Sequence, residues 1–157
     1  YPLRELESLR ANERAFSGSS LTAKHSRACE LRLTVDPHSA KHLCLHMAES
    51  EGEAFKIEYD VERQVLRTDR SIAGYPMGKN GTPEEKPYRE AILPLKDGKL
   101  DLRVFLDTSS IEVFAADGTV SMSALFFPRG SADRLSVSSD DGSASFSLTI
   151  WDIIAKE

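Results

Sequence analysis

The chain has 157 residues, close to the roughly 150 of a single domain, with 40% hydrophobic and 29% charged residues, which is too apolar for disorder. Lys and Arg number 20 against 25 Asp and Glu, and the net charge of −5 argues against a nucleic acid or an anionic membrane as partner, since either calls for a basic patch. No apolar run approaches the ~18 residues of a membrane span, no signal-peptide pattern opens the chain, and a start on Tyr1 rather than Met is what a piece of a longer protein would show.

The opening YPLRELESLRANER is rich in Leu, Glu and Arg, with Leu3, Leu6 and Leu9 recurring every third residue. It reads as a short helix or charged linker over 1–16, and Pro2 suits a helix start. After Gly18 the pattern changes to period two. CELRLTV (29–35), LCLHM (43–47), FKIEY (55–59) and VLRT (65–68) each alternate apolar and polar residues, as half-buried antiparallel strands do. Residues 72–90, with three Pro and three Gly, read as a long loop of the kind that often makes contacts.

The segment LDLRVFLDTSSIEVFAADGTVSMSALFFP carries two turns. A turn at Thr108–Ser109 pairs Leu106 with Ile111, Val104 with Val113 and Leu102 with Ala115. A type I′ turn at Asp117–Gly118 pairs Ala115 with Val120, Val113 with Met122 and Ile111 with Ala124. Both registers put the same apolar set on one face, so each supports the other. LSVSSDDGSASFSLTIW reads as a last hairpin around Asp141–Gly142. Short strands joined by turn residues predict an all-β, two-sheet antiparallel sandwich over 17–157.

The same register leaves Arg103, Phe105, Glu112, Phe114 and Leu125 on the other face, where two Phe are unexpected. Two explanations stay open. The chain's own loop 72–90 covers them, or they form a docking face for another domain. Arg103 lies opposite Phe114, within reach of stacking on its ring.

Candidate chemistry is sparse. His38, His42 and His46 are four apart, but on a strand His42, Cys44 and His46 share a face, an imidazole–thiol–imidazole set that lacks a fourth zinc ligand. Cys29 faces the core with Leu31 while Cys44 faces the other way, so a bridge is not expected and a reduced, cytoplasmic protein is. Asp36-Pro37 and Asp140-Asp141 read as turn chemistry, and Glu30, alternating with core residues, is expected to face solvent. No Ser sits in a nucleophile setting and no phosphate-binding Gly loop is present. Neither a catalytic residue nor a cofactor or metal is predicted for this chain. Trp151 is read as packing with Ile153 and Ile154.

The run Leu102, Phe105, Asp107, Ser109, Glu112, Val113, Phe114 and Gly118, followed by Phe127-Pro128, resembles the L-x-x-F-x-D-x-S-x-x-E-V-F-x-x-x-G signature of the C-terminal β-sandwich of glycoside hydrolase family 32. PLRELESLR (2–10), RTDRSIAG (67–74) and REAILPL (89–95) are similar to flanking family segments, in the same order. Departures are the long 72–90 loop and Thr108 where the family often has Arg. The resemblance implies a non-catalytic module of an invertase, levanase or sucrose-6-phosphate hydrolase type of enzyme, cut from a five-bladed catalytic propeller. That propeller's N-D-P-N-G, R-D-P and E-C motifs do not occur here, so no catalytic role transfers. Asp107, Ser109, Gly118 and Pro128 are then structural, and Arg103, Phe105, Glu112 and Phe114 are candidates for the interface with the propeller. A homo-oligomer and weak carbohydrate binding are further expectations, the rival reading being a stand-alone carbohydrate-binding module.

Overall fold

A computed structural model describes residues 4–155. Pro2 and Leu3, used in reading the N-terminus, lie outside the described residues. Twelve strands follow in chain order: β1 (Arg10–Gly18), β2 (Leu21–Lys24), β3 (Cys29–Asp36), β4 (His42–Ser50), β5 (Glu53–Asp60), β6 (Val65–Ile72), β7 (Tyr88–Ile92), β8 (Leu100–Asp107), β9 (Ser110–Ala115), β10 (Val120–Leu125), β11 (Arg134–Ser139) and β12 (Ser145–Ile153). They form two six-stranded antiparallel sheets, ordered β1-β12-β3-β8-β9-β10 and β2-β11-β4-β5-β6-β7. The all-β sandwich expected from the alternation is what the chain adopts.

Each sheet turns its apolar residues inward. Leu31, Leu33, Leu102, Val104, Val113 and Leu148 from the first sheet meet Leu45, Ile57, Tyr59, Leu66 and Leu135 from the second, all buried. Phe55 and Phe126 pack with ring centroids 5.1 Å apart. The β8–β9–β10 meander has the register read from sequence at every pair named above. At its second turn Asp117 (φ 56°, ψ 33°) and Gly118 (φ 83°) occupy the two left-handed positions of a type I′ turn, closed by the Thr119 N–H donating to the Ala116 carbonyl at 3.1 Å.

Three expectations need correcting. Strand pairing begins at Arg10, inside the stretch assigned to a linker over 1–16; of the described residues in that stretch, only Arg4–Leu9 stay outside the sheet, as a 3-10 turn. β1 is an edge strand with a register shift between Ala11 and Arg14, and its charges and irregularity hide its period. Residues 72–90 end in a strand, because β7 starts at Tyr88 and pairs with β6. β11 and β12 are not a hairpin. β11 pairs with β2 and β4 in one sheet and β12 with β1 and β3 in the other, so the Asp141–Gly142 turn carries the chain between sheets. Both strands alternate as hairpin strands would, and alternation alone does not say which sheet a strand joins.

The long loop is tied down where it starts. Gly74 (φ +95°) lies so close to the chain at Phe127 that an added Cβ would stand 2.1 Å from the Phe127 carbonyl oxygen. The Tyr75 N–H donates to that same oxygen at 3.1 Å, and Arg70 binds both Glu84 oxygens and the Leu125 carbonyl. Behind β2, His25 is buried with its Nε2 accepting the Ala48 N–H at 3.0 Å, which leaves Nδ1 as the donor to the Ser26 carbonyl at 2.9 Å.

Gly74→Ala must displace backbone rather than a side chain, so denaturant unfolding should show a loss of about 1–3 kcal/mol or more. Burial lowers the His25 pKa below its ordinary 6.5. The unfolded chain therefore takes up the proton first. Stability should be full above that value and decline as pH falls through it, an effect that His25→Gln removes in pH-dependent melting curves.

Candidate functional site

The outer face of the first sheet is built in rows. Trp151, Glu30, Phe105 and Glu112 stand side by side on β12, β3, β8 and β9, and Arg32, Arg103 and Phe114 form the row beside them. Arg103 is opposite Phe114 as the sequence indicated, yet its guanidinium lies over Phe105, 5.3 Å from the ring centroid. The two Phe rings meet edge-on instead, 6.1 Å apart at 85°. Both are half-buried, Glu112 is exposed, and Leu125 at the sheet edge is 56% exposed.

Glu30 overturns the expectation that it faces solvent. Its direction is outward, as alternation demands, but its exposure is 0%. Arg10 reaches across from β1, past β12, with its guanidinium 4.2 Å above the Trp151 ring. Its Nε and Nη2 donate to the two Glu30 oxygens at 2.8 and 2.7 Å, and Arg103 Nε donates to Oε1 at 2.7 Å. Burial opposes the Glu30 charge, but the hydrogen bonds from Arg10 and Arg103 outweigh it and hold the carboxyl below its usual range. Trp151 is therefore a platform for Arg10 on the outer face. The sequence held no local signal of this cluster, whose members are 20 and 73 residues apart.

The cover on this face comes from the N-terminal segment. Glu7 Oε1 stands 3.7 Å from both Arg10 Nη2 and Arg103 Nη2. Loop 72–90, the alternative cover, instead meets Phe127 and Arg129 through Tyr75, just beyond the edge strand β10. Between the N-terminal segment and the turn at Asp117–Gly118 lies a groove of about 430 Å³, with Arg32, Asp101, Phe114 and Trp151 among its walls.

The remaining signature residues do local work. Asp107 accepts the Thr108 N–H at 2.7 Å across the first turn, and the Ser109 carbonyl accepts the Phe126 N–H at 3.1 Å. Pro128 follows Phe127, where Gly74 touches the chain. Asp36 accepts the His38 N–H, and Asp140 and Asp141 accept backbone N–H groups of their own turn and of Lys41, so these carboxylates shape turns. His42, Cys44 and His46 share the outer face of β4, whereas His38 lies in the preceding turn, hydrogen-bonded to Ser145. Among the described residues no group of three His, Cys, Asp or Glu is arranged to hold a metal. Cys29 and Cys44 are unpaired, and burial pushes both thiols up to about 12.

A family model described as "Glycosyl hydrolases family 32 C terminal" matches residues 5–152. The chain is 29% identical to a sucrose-6-phosphate hydrolase of Staphylococcus xylosus over 158 residues, covering 97% of this chain and 31% of that protein. It is 33% identical to a raffinose invertase of Escherichia coli over 160 residues, covering 96% of this chain and 30% of that protein. It thus spans less than a third of the length of these relatives. Among solved structures, the exo-inulinase of Aspergillus awamori shares the fold, with a TM-score of 0.78 at 22% identity over 96% of this chain and 31% of that one.

Glu30→Gln keeps the size of the side chain but leaves two guanidinium groups facing a neutral amide, so unfolding should show a loss of about 3–5 kcal/mol. Because the folded pKa lies below the ordinary 4.5, the contribution of Glu30 is present above that value and is lost as pH falls through the folded pKa. The acid limb of the wild-type stability curve should flatten in the variant.

Proposed function

This chain belongs to the C-terminal family of glycosyl hydrolases family 32, and we propose that it is the non-catalytic sandwich module of a β-fructofuranosidase-type enzyme. The parent enzyme acts on sucrose, sucrose phosphate or a fructan, and the module supports its catalytic propeller and the pairing of subunits. One observation carries the reading. The N-terminal segment, which in a C-terminal module leads in from the rest of the enzyme, is clamped onto the outer face of the first sheet through Arg10 and Glu30. This attachment supports docking of the catalytic domain on the face that carries Phe105, Glu112 and Phe114, with Arg103 beneath it.

The chemistry of the carboxylates supports a structural role. A retaining glycosidase needs two carboxylates about 5–5.5 Å apart across the scissile bond, one of them free to exchange a proton. Here Glu30 is locked between two arginines, Glu84 is bound by Arg70, and Asp140 and Asp141 hold a turn. Unpaired thiols on different sheets support a cytoplasmic placement.

The purified chain is expected to release no hexose from sucrose or raffinose; turnover that copurifies with the chain would refute the non-catalytic assignment. Phe105→Ser combined with Phe114→Ser should leave the isolated chain folded, since both rings lie outside the inter-sheet core. In the full-length enzyme the same pair should weaken docking by more than about 1 kcal/mol, read as earlier melting of the catalytic part.

A further inference from the structure

The edge strands are β1 and β10 in the first sheet and β2 and β7 in the second. Three of them carry their own protection against pairing with another chain. β1 is charged and has a register shift, β2 is four residues long, and β7 follows Pro87 and carries Arg89 and Glu90. β10, Val-Ser-Met-Ser-Ala-Leu, has no such device: it is uncharged, lacks proline and pairs with β9 without a shift. We propose that the Arg70–Glu84 pair is the missing guard, a side-chain clasp that keeps β10 from pairing with the β10 of a second copy of this chain.

Register shows which groups the guard must cover. Phe126, the residue after β10, donates its N–H to the Ser109 carbonyl at 3.1 Å, so its backbone groups point toward β9. Successive residues of a strand point these groups to opposite sides, so those of Leu125, Ser123 and Ser121 point out from the edge. All three residues are exposed. A second copy entering antiparallel about a two-fold axis at Ser123 would set Ser123 against its counterpart. It would also set Ser121 of each copy against Leu125 of the other. An uncharged strand meets its own copy there without a like-charge contact. In that register the Ser121 N–H of each copy needs the Leu125 carbonyl of the other, and Arg70 already holds this carbonyl. Arg70 Nη1 donates to it at 2.7 Å, while Nε and Nη2 donate to the two Glu84 oxygens at 2.8 and 2.7 Å. The guanidinium cannot turn away without giving up a two-bond ion pair. The Arg70 N–H also donates to the Pro87 carbonyl at 3.0 Å, so loop 72–90 closes back on the residue that carries the guard. The inference does not rest on the function proposed above, and it requires any pairing of subunits to use a surface other than the β10 edge.

Sedimentation of the whole chain over a concentration series provides the test. Arg70→Ala frees the Leu125 carbonyl, and Glu84→Ala leaves the guanidinium unanchored. Each should sediment faster as its concentration rises, beyond anything the wild type shows. Ser123→Lys, which sets like charges against each other at the two-fold axis, should abolish this association when added to either variant. In the wild-type background Ser123→Lys should leave sedimentation unchanged. Amide hydrogen exchange should find the Ser121, Ser123 and Leu125 N–H groups unprotected in the wild type and protected in the associated variants. Melting curves report folding, and if Arg70→Ala does not fold, Glu84→Ala and its double variant with Ser123→Lys decide. The guard is refuted if a folded Arg70→Ala or Glu84→Ala chain sediments as the wild type does, or if Ser123→Lys leaves their association intact. It is refuted equally if Ser123→Lys lowers association of the wild type, because subunits would then already pair through the β10 edge.

Discussion

The apolar seam between the two sheets is the constraint from which the rest of the structure follows. Every strand must place alternate residues in it, and a slip of one residue would move a whole set of side chains to water. β8, β9 and β10 meet this demand together: Val104, Val113 and Met122 lie in one row, so the two turns that join them have no freedom of register. Turn chemistry then only has to be compatible. Asp107 receives the Thr108 N–H, and Asp117–Gly118 takes the two left-handed positions of a tight reversal.

A seam that fixes which residues point inward also fixes which point outward, without saying what they meet. Glu30 shows the difference. Its neighbours Cys29 and Leu31 are in the core, so its side chain leaves on the opposite face. That face would be wet in an isolated sheet. Here β1 pairs with β12, which puts Arg10 two strands from Glu30, and a guanidinium on a long stem spans the gap over Trp151. A buried carboxylate with one partner would be a liability; with bonds to both oxygens from Arg10 and a third from Arg103, it ties the entering chain to the middle of the sheet.

What could be read from residues divides along the same line. The central strands and the meander were legible because local alternation and turn residues carry the same information as the packing. β1, β2 and β7 were not marked, since edge strands bury less, are short or charged, and so lose the period that betrays a strand. The β11–β12 connection was misread because five residues can close a hairpin or cross between sheets with equal ease. Of the outer face, the row containing Arg103 and Phe114 was legible from register, while the Glu30 cluster was not, since it joins residues distant in sequence through side chains alone.

The signature that carries the family resemblance acquires a physical meaning from these placements. Asp107, Ser109 and Gly118 sit at the two turns of the meander, and Val113 is its central core residue. Phe127 and Pro128 mark where the chain leaves β10 and meets Gly74, the last residue of the D-R-S-x-x-G stretch. Within that stretch Arg70 reaches the Leu125 carbonyl, so two segments far apart in sequence brace one corner of the sandwich. A motif made of turn residues, a core residue and a close backbone approach encodes an architecture. It can be long and specific for architectural reasons alone, because a twelve-stranded sandwich has few ways to reverse its chain tightly while keeping every strand in register with the seam.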